Sequence, residues 1–200
     1  MPYTGDFENA ALTAMVKKEA PSGWQPSFVG LAKQAAAVTF TAATTVLTKA
    51  AHGYAEKDLV ELKAATVGAS ELVVGRLYYV KVVSTEKIEL FDVYALTGTA
   101  VTVEGATAVE LTKIEEATGA TYARVASAWA AAANRRSKSS AAYEVKADAG
   151  QVVDYVVYFT AGTAGTAGQV ACLSKVTKET FASAGVFKVE EGVLDLRAAA

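Results

Sequence analysis

The sequence predicts an all-β fold, an antiparallel β-sandwich with an N-terminal helix and an inserted small β-barrel-like module. Three observations predict it. Val (26) and Thr (21) are abundant and Pro (3) is scarce among the 200 residues, a composition that suits strands. Hydrophobic residues make up 52% and charged residues 20%, enough apolar material for a core and too much for a disordered chain. Short β-branched runs also recur at close spacing with turn signals between them, which fits hairpins better than the long crossovers of a parallel sheet.

The first element is the exception. Asp6 can cap a helix over Asp6–Lys18, with Glu8 in its first turn and Lys17 and Lys18 in its last, each suited to the helix dipole. Phe7, Ala11, Ala14 and Met15 share one face, and Pro21-Ser-Gly stops the helix. Ser27-Phe-Val-Gly-Leu-Ala then reads as a short buried strand. From Ala37 onward, Val38–Thr41, Thr45–Thr48, Asp58–Lys63, Arg76–Val83, Lys87–Phe91 and Val101–Glu104 have strand composition. Turns separate them at Ala51-His-Gly-Tyr, Val67-Gly-Ala-Ser, Ser84-Thr-Glu-Lys and Leu96-Thr-Gly-Thr. After Gly119 further strands are expected at Tyr122–Trp129, Ala141–Val145, Val152–Thr160, Gln169–Val176 and Phe187–Leu196. The alanine-rich stretch from Ala126 has helical propensity but is short, so a strand through Trp129 and then a loop is expected.

Composition also restricts the chemistry. With one His and one Cys, most metal sites and nucleophile–base pairs lack their raw material, so no metal and no cofactor are expected. Nineteen Lys and Arg against 21 Asp and Glu leave a net charge of −2 and no overall basic field for nucleic acid. No apolar stretch approaches the roughly 20 residues of a membrane-spanning helix, and Met1–Asp6 does not read as a secretory signal. Cys172, in an alternating strand-like context, is expected to be a buried, inert thiol.

Few motifs suggest chemistry. Gly162, Gly165 and Gly168 recur every third residue, but no Lys follows and a strand comes next, so a hairpin loop is expected rather than a phosphate cradle. His52, in Ala51-His-Gly53, has no second His or Cys nearby and is expected to serve a turn. Asp58, Glu61, Glu110, Glu115 and Glu116 could form an acid–base pair, yet nothing in their spacing pairs them. Arg135, Arg136 and Lys138 form the one dense basic patch, readable as a contact for an acidic partner surface or as a solvated turn. Tyr155 and Tyr158, within a strand apolar on both faces, are candidate partner anchors or core residues.

Several segments taken together resemble a known group. Ala10-Ala-Leu-Thr-Ala-Met, Phe28-Val-Gly-Leu, Gly119-Ala-Thr-Tyr-Ala-Arg-Val, Trp129-Ala-Ala-Ala-Ala-Asn, Ser137-Lys-Ser-Ser-Ala-Ala and Gly185-Val-Phe-Lys-Val-Glu-Glu-Gly-Val-Leu-Asp-Leu resemble small virion proteins of tailed bacteriophages. These are often labelled tail-fibre-like and are β-sandwich structural proteins. The interval between Ala37 and Ala117 resembles a β-module recurring in phage structural proteins, carried by Ala51-His-Gly-Tyr, Asp58-Leu-Val-Glu-Leu, Gly75-Arg-Leu-Tyr-Tyr-Val and Ile88-Glu-Leu-Phe. Where relatives have His-Thr after the Gly-Leu strand, this chain has Ala32-Lys33. The resemblance implies a discontinuous sandwich domain, 1–36 with 118–200, and an inserted β domain, 37–117. It implies a non-enzymatic capsid decoration protein on the head, or alternatively a tail-fibre or tail-tip subunit. Its expected partners are the major capsid protein, other virion proteins and further copies of itself, a trimer among the options.

Overall fold

The computed structural model describes residues 26–66, 72–103, 108–130, 136–139, 141–162, 170–190 and 193–195. The predicted Asp6–Lys18 helix lies outside them. Within them the chain is all-β, without a helix. It forms two compact units: residues 34–115 in one, and in the other residues up to Lys33 together with those from Glu116 onward.

The 34–115 unit is a closed six-stranded antiparallel barrel. Its strands are β2 (Val38–Ala43), β3 (Val46–Thr48), β4 (Leu59–Ala65), β5 (Leu77–Ser84), β6 (Lys87–Phe91) and β7 (Val109–Glu116). Pairing runs β2–β3–β6–β5–β4–β7 and returns from β7 to β2, so no strand is left as an edge. Two-residue turns close the β2–β3 and β5–β6 hairpins, and Thr44 takes the left-handed conformation (φ 56°) that such a tight turn demands. Alternate side chains, among them Phe40, Leu47, Val60, Leu62, Tyr78, Val80, Ile88, Leu90, Val109 and Leu111, fill the interior.

Two features of the barrel depart from the sequence reading. Val101–Glu104, read as a strand, belongs to no ladder strand over its described residues 101–103. Val101 and Val103 nonetheless enter the core and donate their N–H groups to Leu90 and Thr44. The strand that closes the barrel is β7, which strand composition did not mark because Glu110, Lys113, Glu115 and Glu116 interrupt its apolar positions.

In the other unit, β1 (Phe28–Gln34) pairs through its first residues with β8 (Val125–Ala126) on one side and β11 (Val152–Phe159) on the other. The expected Tyr122–Trp129 strand is thus only two residues long, with an isolated bridge from Trp129 to Ser139 beyond it. The rest is one long antiparallel ribbon. β9 (Arg136–Lys138) pairs with β14 (Val193–Asp195), β10 (Tyr143–Ala147) with β13 (Gly185–Val189), and β11 with β12 (Val170–Thr180). The register changes by one residue between the first two pairs and carries unchanged into the third. β10 and β11, and opposite them β12 and β13, are therefore two arms bent at one corner. At that corner Gly150 N–H donates to Phe181 O (2.7 Å) and Phe181 N–H to Gln151 O (2.9 Å), so pairing continues through the bend.

Candidate functional site

The residues that carry the family resemblance converge on two polar clusters in this second unit. The first lies over β1. Arg124, its side chain only 1% exposed, donates from Nε to Glu116 Oε1 and from Nη2 to Oε2, both at 2.7 Å, in the two-pronged geometry that suits guanidinium and carboxylate. Its Nη1 donates to the carbonyl of Ala161 at 2.7 Å, and its guanidinium carbon sits 3.6 Å from the centre of the Phe159 ring. Tyr122 donates its hydroxyl hydrogen to Glu116 Oε1 (2.9 Å) and accepts from Leu31 N–H (3.3 Å). Burial, followed by the nearby Glu116 carboxylate, pushes the Tyr122 hydroxyl far above its ordinary range.

Gly30 is the place on β1 where this cluster presses closest. A Cβ there would collide with the Tyr122 hydroxyl and stand 2.9 Å from the Phe159 ring, so only glycine fits. Phe28-Val-Gly-Leu and Tyr122-x-Arg124 are accordingly two halves of one contact.

The second cluster fastens the ribbon's corner. Asp148 accepts from Thr121 Oγ1 (2.7 Å), from Thr121 N–H and from Tyr122 N–H. These bonds, led by the Thr121 hydroxyl, hold its carboxyl below the usual carboxylate range. Gln151 accepts from Asp148 N–H through Oε1 and donates through Nε2 to the carbonyl of Thr118. Gly119 must be glycine because a Cβ would run into the Asp148 carboxylate.

Of the residues read as partner contacts, the structure brings two near one another, though not as a surface. Tyr155 and Tyr158 are 1% and 2% exposed; they are core residues, which corrects the reading of them as anchors. The Tyr158 ring meets Trp129 edge-on at 5.2 Å, and burial raises its hydroxyl pKa to about 12. Trp129 bridges to Ser139, and next to it Ala130 N–H donates to Lys138 O (2.9 Å). Lys138 is exposed on β9, which also carries Arg136. Arg135 lies outside the described residues, as do Gly165 and Gly168.

The acidic candidates do not assemble into a pair. Asp58 accepts from Ala55 N–H and faces Lys113 at 2.9 Å, Glu61 faces Lys63 at 2.7 Å, and Glu116 is held by Arg124. His52 is buried: its Nδ1 accepts from Tyr54 N–H at 3.0 Å, which leaves Nε2–H to donate to Ser84 O, also at 3.0 Å. Both ring nitrogens thus anchor a turn. Cys172 is fully buried, and loss of solvation drives its thiol pKa upward. Among the described residues, no three His, Cys, Asp or Glu side chains are placed to hold a metal, and no helix is long and apolar enough to cross a membrane.

Sequence reasoning missed Asp148 and did not pair Glu116 with Arg124. The distinguishing signal was present for Gly119 and Gly30, which carry the resemblance without occupying an obvious turn. No protein-family model, curated protein or solved structure matches this chain.

Proposed function

We propose that the chain is a non-enzymatic structural protein of a tailed-bacteriophage virion, specifically a decoration protein on the outer surface of the head. On this reading the ribbon and its β1 sheet act as the sandwich domain and the barrel as the module inserted into it. The major capsid protein is the partner, and the subunit is used in several copies. The observation that supports the reading is where the resemblance residues sit. Gly30, Gly119, Tyr122 and Arg124 all join strands to one another, and each oxygen of Glu116 is occupied by Arg124. A motif placed in this way maintains a framework, the property under selection in a subunit that must hold its shape against neighbours.

Immunogold labelling of purified particles, with antibody against this chain, tests the proposal. Label distributed over the heads is the expected result. Label confined to tails would replace decoration with a tail-fibre or tail-tip role, and unlabelled particles that also lack the chain by mass spectrometry would remove the virion reading altogether.

A further inference from the structure

We propose that the free edge of β10 is a self-pairing surface, through which two copies of this chain join about a two-fold axis with β10 against β10. Among the described residues β10 pairs only with β13, and it does so over five consecutive residues without a register shift. A regular strand with an unpaired side is a template for a further strand. The other long edge in this unit, β12, is blunted. Its register slips between Lys175 and Glu179, opposite Tyr155 and Val153, and Lys175 and Lys178 stand exposed along it.

Charge selects the occupant. Tyr143, Val145 and Ala147 turn inward and are buried, while Glu144 and Lys146 point outward and are exposed. Across its own ribbon Glu144 faces Lys188, at 3.8 Å, but Lys146 faces Val186, which is 45% exposed. A second β10 laid antiparallel about Val145 sets each Glu144 opposite the other copy's Lys146. Each Lys146 then gains the acid that its own ribbon does not place across from it. The outer face of the joined sheet reads Lys188, Glu144, Lys146 of the second copy and Val186 of the second copy, with charges alternating in sign. Opposite charges facing across antiparallel strands stabilise the pair, and like charges oppose it. The β13 edge offers no such match, because pairing about Phe187 sets Lys188 against Val186. The contact uses the same patch on both copies, so it closes at two and does not propagate into a fibre.

A five-residue strand pair is small beside a standard stable interface, so the dimer is weak and concentration-dependent. Sedimentation equilibrium on the full chain, loaded from about 10 μM to about 1 mM, is expected to show mass rising from one copy toward two. K146E should weaken association by about tenfold or more, since it turns two attractive pairs into repulsive ones. The swapped variant E144K/K146E should recover it, and K175E on the β12 edge should leave it unchanged. Circular dichroism melts of all three variants check that each is folded. A chain that stays monomeric at every loading overturns the proposal. So does a swapped variant as weak as K146E, or K175E weakening association equally. The inference does not rest on the virion reading, since either can fail in its own experiment while the other stands.

Discussion

Gly30 concentrates the packing of its unit into one hydrogen atom. Replacing it with Ala forces a methyl group against the Tyr122 hydroxyl and the Phe159 ring, neither of which can retreat while Tyr122 bonds Glu116 and Phe159 lies under Arg124. Overpacking of this kind costs about 1–3 kcal/mol, so G30A should lower the midpoint of a urea melt with little change in its slope. Asp148 acts through charge. Its pKa is lowered in the folded state from an ordinary 3.8, so its contribution is complete above that value and is lost as pH falls through the folded pKa. D148N should therefore be less stable than the parent near neutrality and show a shallower loss of stability below pH 3.8, measured by thermal melts across an acid series.

β7 is the element on which the barrel depends, because it meets both β2 and β4 and so turns an open sheet into a closed one. Leu111, fully buried on that strand, packs into the core, and its carbonyl accepts from the Tyr54 hydroxyl at 3.2 Å. L111A should cost about 2–5 kcal/mol through lost burial and the cavity left behind. Val83, 49% exposed on β5, is the contrasting position: V83A should shift the melt by less than about 0.5 kcal/mol. Equal effects at the two sites would mean that barrel closure contributes little. The long ribbon makes the complementary point. Its arms keep register through the Asp148–Gln151 corner because backbone bonds between Gly150, Gln151 and Phe181 continue the ladder there.

Taken whole, the molecule holds a barrel whose six strands all find their partners between residues 38 and 116. Just before the first of them, Ala35 N–H donates to Lys113 O (2.9 Å), so entry and exit of this stretch are adjacent. A segment with its own closed sheet and its own core has what independent folding requires. Residues 34–116 expressed alone should give a dispersed amide spectrum and a cooperative melt. A collapsed spectrum would show that the barrel needs the remainder of the chain.

Much of this could be read from residues. Val38–Thr41, Arg76–Val83, Lys87–Phe91 and Val152–Thr160 declare themselves as strands because β-branched and aromatic side chains fit a pleated surface wherever it lies. The sequence by itself determined the all-β class and the scarcity of metal-binding side chains. Only the tertiary structure decided that β7 closes a barrel, that Glu116 belongs to Arg124, that Asp148 holds a corner, and that Tyr155 and Tyr158 face inward. The reason is range. Strand composition is a property of neighbours along the chain. Ladder partners and the two faces of a doubly apolar strand are set by residues as far apart as Phe28 and Phe159, and the energy that fixes them exists only once the sheet has formed.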